Sequence, residues 1–408
     1  MSKKKMQQDL YDAAEMRRLE EEYQRRRLGA VVEPAASADE AEPSGKGILP
    51  FKIEKTSDGS DVTGRAGLSL ALEAMRAYGV DELVGEHLKI KKRERGFSES
   101  EVVESVVLLQ LAGGEHMEDI ELLRKDAGLC RMLGQEIPSP DVVRDFLVSF
   151  HDPKLLAQAQ EKAKEAGEKS YVPEESELLQ GLSRVCEGVV RRVADPSLGT
   201  TATLDHDATV IESHKEEALF HYKGGRGYQP SAILWGEQGL AVGSEFRDGN
   251  VPAAKDNLRL VSHAFLSLPS WVEVYRFRAD SACYSEALLK WLSNPDRPGG
   301  PHGEIGFTIS ADMTKDLKAE CKRVWEADAV GDEDHPRWRV LDDTRGDETV
   351  DGSEVVFTPG NWPKGARPLR YLVVRCRKRQ GGLYADGSEG KYLGVVSNRE
   401  GSGDELIR

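Results

Sequence analysis

The stretch of sequence that decides the fold is Thr203-Leu204-Asp205-His206-Asp207-Ala208-Thr209-Val210-Ile211. Its composition predicts a β-strand, in which side chains two residues apart point to the same face. Asp205 and Asp207 then share one face, while Leu204 and His206 share the other. Aspartate is depleted in strands and two close carboxylates repel, so the pair indicates a neutralising cation, with a hard divalent metal as the first candidate. The alternative is an exposed edge strand or a turn.

A second acidic position follows another predicted strand. The segment Trp271–Ala279 is rich in aromatic and β-branched residues and ends at Asp280. A helical pattern begins at Ser285, which is a suitable N-cap. A carboxylate at the end of an interior strand faces a crevice, which makes Asp280 a second candidate metal ligand. The alternative role for Asp280 is to cap the helix itself, and Ser281 and Ser285 can take that role instead.

Five segments in this order resemble the catalytic domain of DDE transposases from bacterial insertion sequences, which has a ribonuclease H-like fold. The resemblance is carried by Leu204–Thr209, Tyr222–Pro230, Arg247–Asn250, Phe277–Ser281 and Tyr392–Arg399. Each segment alone is a weak signal, and five in sequence are a strong one. The resemblance implies an α/β fold: a ribonuclease H-like mixed sheet with helices and a β-rich insertion, preceded by an all-helical domain.

The resemblance also implies metal-dependent phosphodiester cleavage and strand transfer at the ends of a mobile element. Two Mg²⁺ (or Mn²⁺) ions would be held between carboxylates. Among these residues, Asp207 matches the first catalytic acid and metal ligand, with Asp205 in reserve, and Asp280 matches the second. Relatives carry a third acid in Tyr-x-x-Arg-x-x-x-Glu, and none of the 11 tyrosines begins that pattern. We therefore expect a missing C-terminal helix and impaired cleavage, since Glu405 lies too early to replace the third acid.

Two other functions fit the same residues. A non-catalytic transposase remnant that binds DNA or inhibits a full-length partner would explain the missing glutamate. A different ribonuclease H-like nuclease would cleave without strand transfer or end specificity. Retained DNA binding without cleavage would distinguish the remnant from both enzymes.

The charge pattern narrows the candidate DNA contacts. The net charge of −15 argues against wholesale, non-specific DNA binding, because phosphate neutralisation needs clustered Lys and Arg. Lys223 and Arg226 lie in a glycine-rich loop near the proposed metal site, Tyr228 is placed to stack on a sugar or base, and Arg375 belongs to a basic run that ends a strand. Solvated surface is the alternative for such runs. By resemblance, the partner is DNA with inverted terminal repeats, bound by a homodimer.

The rest of the composition indicates a cytoplasmic protein. No apolar stretch reaches 18 residues and no signal peptide opens the chain, so we expect no membrane association. The five cysteines have no metal-ligand spacing, which predicts a reducing compartment and no zinc site.

The 408 residues divide into five predicted segments. Residues 1–63 form a charged helix and a disordered linker, and residues 64–195 form a helical domain that binds DNA ends, pairs subunits or only braces the catalytic core. Capping signals at Ser98–Glu101 and Ser139-Pro140 mark two of its helices. The catalytic core spans 196–312 and includes a helix predicted over Ala253–Leu266, the β-rich insertion spans 313–398, and residues 399–408 begin the truncated helix.

Overall fold

The computed structural model describes residues 62–91, 95–329, 338–342, 347–359, 362, 368–379, 382–385 and 387–403. The predicted charged helix and linker lie outside these residues, apart from positions 62 and 63, and so does Glu405. Within the described residues, no helix combines the length and apolarity needed to cross a membrane.

The predicted helical region is confirmed, with eight α-helices between residues 67 and 193. Its capping signals work as predicted: the Glu101 N–H donates to the Ser98 side chain, and the Ser98 N–H donates to the Glu101 carboxylate at 2.6 Å. Two apolar clusters hold the helices together, one centred on Leu72 and Leu108 and the other on Val84 and Leu88. The helices are α1 Gly67–Ala77, α2 Val80–His87, α3 Glu99–Leu111, α4 Ile120–Arg124, α5 Ala127–Leu133, α6 Pro140–Val148, α7 Pro153–Glu165 and α8 Glu177–Val193.

The second part of the chain builds a large mixed sheet. The strands are β1 Thr201–Ala208, β2 Ile211–Glu212, β3 Leu219–Phe220, β4 Arg226–Tyr228, β5 Ser231–Trp235, β6 Leu240–Glu245, β7 Val274–Ala279, β8 Ile305–Ala311, β9 Trp338–Asp342, β10 Glu348–Phe357, β11 Leu369–Lys378 and β12 Lys391–Ser397. In the described part of the chain, nine of them form this sheet in the order β6-β5-β1-β7-β8-β12-β11-β10-β9. The antiparallel β5–β6 hairpin flanks β1 on one side, and the parallel strands β7 and β8 flank it on the other, which is the predicted ribonuclease H-like arrangement.

One face of this sheet carries the main core, because it is covered by helices α9 Asn257–Leu266, α10 Glu286–Ser293 and α11 Lys315–Ala329. Leu204, Phe277 and Phe307 on neighbouring strands are fully buried there. The helix predicted from Ala253 begins only at Asn257, because Asp256 has a φ of 53°, which a right-handed helix cannot accommodate.

The stretch predicted as a β-rich insertion extends the same sheet. Strand β12 pairs with β8, and β11, β10 and β9 follow outward. The core continues without interruption from Ile309 to Tyr371 and Val396, so these strands share the apolar core of the central ones. The sequence patterns predicted the strands of this stretch but not the helix α11. The division of the chain into five segments stays a prediction.

A second, small sheet stands between β1 and β5 in the chain. Its three strands lie in the order β2-β4-β3. Strands of two or three residues are too short to show a period, so the sequence did not predict them. Gly227 lets β4 approach β2 closely, since a Cβ there would lie 2.2 Å from the Ile211 carbonyl oxygen.

Candidate active site

Two candidate acids lie on neighbouring strands where β1 and β7 end. These strands are parallel, and Asp205 is in register with Arg278 and His206 with Ala279. The next residue on each strand is Asp207 and Asp280, respectively. Neighbouring strands lie about 4.8 Å apart, so the register places the two aspartates side by side at the carboxyl ends of these interior strands.

Both acids are exposed and lack an ion-pair partner among the described residues. Asp207 accepts a hydrogen bond from the Ala208 N–H at 2.9 Å. Asp280 accepts one from the Ala282 N–H at 2.9 Å and so caps the short 3-10 helix Ser281–Cys283. The predicted Ser285 cap of α10 is also present, with the Leu288 N–H 3.4 Å from the Ser285 hydroxyl. Each carboxylate therefore keeps oxygen lone pairs free for a ligand.

Asp205, the reserve acid, is in a different situation although it faces the same side as Asp207. The Arg278 guanidinium holds it with two hydrogen bonds, both 2.6 Å from nitrogen to oxygen. This bidentate pair neutralises the carboxylate and occupies both of its oxygens. The two aspartates of β1 thus differ: Asp205 is paired with an arginine, and Asp207 has no ion-pair partner among the described residues.

His206 points to the opposite face, where it is buried and ties three elements together. Its Nε2 lies 2.7 Å from the Ser231 hydroxyl on β5, and its Nδ1 lies 3.2 Å from the Cys283 sulfur in the turn after Asp280. Burial and the nearby positive charge of Arg247 lower the pKa of His206 to about 4. The imidazole is therefore neutral near pH 7, with one donor and one acceptor nitrogen for its two partners.

The polar network continues from Cys283 to Arg247. The Asn257 amide donates to the Cys283 sulfur at 3.4 Å and to the Ala282 carbonyl at 3.1 Å, and its oxygen accepts from Arg247 at 3.3 Å. Arg247 is also paired with Glu245. Burial raises the pKa of the Cys283 thiol to about 12, so this cysteine is an unreactive packing group. The network fixes the turn that carries Asp280 against β1.

The pair Asp207 and Asp280 suits a divalent cation of the Mg²⁺ type. Such ions prefer oxygen ligands and are commonly held by one or two carboxylates, with water and substrate phosphate completing the shell. Two exposed carboxylates without a cationic partner at one sheet edge meet this requirement. In the part of the chain that the structure describes, no group of three or more His, Cys, Asp or Glu side chains is arranged for a metal.

Three predicted DNA contacts lie on or beside the small sheet that follows β1. Lys223 is exposed in the turn between β3 and β4, and Tyr228 ends β4. Arg226 is exposed as well, but its Nη1 donates to the carbonyls of Glu216 and Ala218, so part of its guanidinium braces its own loop. Gly224 has a φ of 94°, a backbone conformation that favours glycine, and so allows the chain to turn between β3 and β4.

The prediction that Arg375 contacts DNA does not agree with its surroundings. Its side chain is only 2% exposed and donates to Asp351 at 2.8 Å. The guanidinium lies between the rings of Trp325 and Trp338, 4.1 and 4.5 Å from their centroids. It is therefore out of reach of a phosphate and has a structural role. The rings of Trp325 and Trp338 thus pack on a buried guanidinium.

Sequence reasoning missed the groups that support the acids. Arg278 lies within the segment Phe277–Ser281, and the alternating arginines of that predicted strand were the available signal for a partner of Asp205. His206 was assigned to the face opposite the acids, and a polar residue among apolar neighbours on that face was the available signal. Cys283 and Asn257 carried no signal, because their contacts depend on the tertiary structure.

Comparison with protein-family models identifies one family. A family model described as "Transposase DDE domain group 1" matches residues 49–383. The solved structure of a piggyBac transposase synaptic complex with hairpin DNA is similar at a TM-score of 0.34 and 10% sequence identity. That match covers 83% of this chain and 61% of the piggyBac chain, so the chain spans less than two thirds of that relative's length. A search of curated proteins gave no match.

Proposed function

Because the chain belongs to the family of transposases with a group 1 DDE domain, we propose that it cleaves and joins DNA strands at the ends of an insertion sequence. The observation that carries this proposal is the placement of Asp207 and Asp280 at adjacent ends of parallel strands, where both are exposed and neither has an ion-pair partner among the described residues. Unpaired carboxylates repel each other, and this arrangement is stable when a cation lies between them.

In this proposal Asp207 and Asp280 hold a divalent metal ion, Mg²⁺ or Mn²⁺. When bound, such an ion supplies Lewis-acid stabilisation of the negative charge that develops at the phosphoryl group. The protein contributes position: β1 and β7 fix the backbone of the two acids, and the neutral His206 holds the Asp280 turn in place through Cys283. Arg278 keeps Asp205 neutralised beside them, which limits the negative charge that an approaching phosphate meets.

The proposed partner is DNA with inverted terminal repeats, bound by a homodimer. Lys223, Arg226 and Tyr228 are the proposed contacts nearest the acids. Lys223 and the free N–H groups of Arg226 suit phosphate oxygens, and Tyr228 suits a sugar or base. The net charge of −15 makes such local cations the means of attraction, so binding should weaken as salt rises.

Nicking of a supercoiled plasmid in Mg²⁺ or Mn²⁺ tests the proposal. Asp207→Asn and Asp280→Asn should each reduce nicking by more than about 100-fold. Loss of a residue that only positions a metal ligand costs about 10- to 100-fold, and these variants lose a ligand itself. Asp296→Asn is the matched control, because Asp296 is an exposed aspartate in the loop after α10 and is not one of the proposed ligands. Nicking that survives both active-site changes would refute the assignment, and DNA binding without nicking would indicate the non-catalytic alternative.

A further inference from the structure

The small sheet presents an aromatic face to solvent. In its register Phe220 lies opposite Arg226, and Ile211 lies opposite Tyr228. Residues directly opposite each other share a face, and so do residues two apart on one strand. Phe220, Arg226, Tyr228 and Ile211 therefore lie on the same side of this sheet. Phe246, just after β6, extends this side because its ring centroid lies 4.8 Å from that of Tyr228.

Rings on this sheet, in its β3–β4 turn and just after β6 are unusually exposed. The exposed fractions are 62% for Phe220 in β3, 75% for Tyr222 in the turn and 68% for Phe246 after β6. Scattered apolar residues on a surface need no explanation, but several large rings gathered on one short sheet mark an interaction site. We call Phe220, Tyr222, Tyr228 and Phe246 the aromatic face.

Cations are interleaved with these rings. The Arg226 guanidinium lies 4.9 Å from the centroid of Phe220, and the Lys223 ammonium lies 5.5 Å from that of Tyr222. An unstacked base can stack its flat face on an aromatic ring, and the phosphate next to it can pair with a cation. This combination of rings and cations therefore suits a nucleic-acid strand with unstacked bases. A second protein chain would have to desolvate the Lys223 ammonium.

The turn that presents Tyr222 and Lys223 is held rigidly. The buried His221 ring accepts a hydrogen bond from the backbone N–H of Lys223 at 3.2 Å. The backbone N–H of His221 donates to the Gly225 carbonyl at 2.9 Å. A Cβ on Gly225 would lie 2.9 Å from the His221 ring. A surface fixed in advance loses little conformational entropy when it binds a ligand.

The aromatic face is also close to the acids. Strand β2 starts at Ile211, four residues after Asp207, a length of chain that spans at most about 14 Å. We propose that the aromatic face binds unstacked nucleotides of a DNA strand next to the Asp207–Asp280 pair. This inference rests on the proposed function, which it deepens by assigning a site for single-stranded or unpaired DNA.

The test measures binding of the full chain to a fluorescent oligothymidylate of about 15 nucleotides in EDTA, with the matched duplex as comparison. Phe220→Leu and Tyr222→Leu keep an apolar side chain and remove the ring. Each should weaken oligothymidylate binding roughly 5- to 150-fold, which corresponds to the stacking of one base. Tyr222→Phe keeps the ring and should bind as the wild type does. Tyr78→Leu, an exposed tyrosine of the helical region, is the matched control.

Each other outcome is equally informative. Unchanged oligothymidylate binding by Tyr222→Leu, or no binding by the wild type, would overturn the inference. A shift of Tyr222→Leu from dimer to monomer in sedimentation, with binding unchanged, would assign the aromatic face to a second copy and also overturn it. Asp207→Asn keeps the two proposals apart, because it should lose nicking and retain oligothymidylate binding. Nicking by a wild type that fails to bind the oligonucleotide would refute only this inference.

Discussion

Two regions of the large sheet differ in how their aspartates are surrounded. In the β10–β11 pair, Asp351 is buried and accepts hydrogen bonds from Arg375 and Arg377, at 2.8 and 2.9 Å. In the β1–β7 pair, Asp207 and Asp280 are exposed and have no ion-pair partner among the described residues. A buried charge is tolerated only when an opposite charge or hydrogen bonds compensate it. Two neighbouring like charges without a counter-ion repel each other and do not stabilise the fold. The first aspartate therefore serves the fold, and the other two serve a ligand.

Asp205 stands between these extremes. It lies on the same face of β1 as Asp207, yet it shares a bidentate ion pair with Arg278 in the manner of Asp351. Two residues of the same type, two positions apart, thus differ in role because only one has an arginine in register on β7.

The largest expected effect on stability is at Arg375, in the β10–β11 pair. Arg375→Ala should lower the free energy of unfolding by about 3–5 kcal/mol, because it leaves the buried Asp351 with one fewer partner and opens the space between two tryptophans. Urea denaturation measures this loss. Replacing Arg375 and Asp351 together, by Met and Leu, should restore most of it, since a buried pair exchanged for apolar residues is often neutral. A single variant as stable as the wild type would contradict the structural role.

The second effect is a pH dependence that arises from His206. Its pKa is about 4 in the folded protein against 6.5 ordinarily, so between these values the unfolded chain binds the proton more readily. The stability contribution is complete above pH 6.5 and is lost as the pH falls towards 4, by about 3 kcal/mol in total. Urea titrations from pH 7.5 to 4.5 should show a shallower decline for His206→Gln. Equal slopes in the two proteins would count against a buried neutral imidazole.

The smallest effect is expected for Asp205→Asn. The ion pair is partly solvated, with side-chain exposures of 34% for Asp205 and 56% for Arg278, and such pairs contribute about 0–1 kcal/mol. Thermal unfolding at low and high salt measures this contribution, which should shrink as salt screens the pair. A loss of several kcal/mol would place Asp205 in the same class as Asp351.

Local patterns were sufficient for much of the fold. Alternation over residues 203–211 predicted a strand and its two faces, and the structure has β1 there but ends it at Ala208. The capping signals at Ser98 and Ser139 predicted helix starts that the structure confirms. Asp280 could be placed at a strand end in the same way. These signals lie within a few residues of one another in the chain, where intrinsic propensity and side-chain period act directly.

Long-range contacts account for what the sequence did not predict. Arg375 belongs to a run of basic residues that is typical of solvated surface, and only the pairing of β10 with β11 and the packing of α11 bury it. The pairing of Asp205 with Arg278 depends on the register of two strands about 70 residues apart. The aromatic face was missed because its strands are too short to show alternation.

Direct binding of Mn²⁺, followed by calorimetry on the full chain without DNA, tests the central claim most directly. The account predicts that the wild type binds the ion and that Asp207→Asn and Asp280→Asn each weaken this binding at least tenfold, while Asp296→Asn does not. Equal Mn²⁺ affinity in the wild type and both active-site variants would contradict the claim that these two carboxylates share a cation.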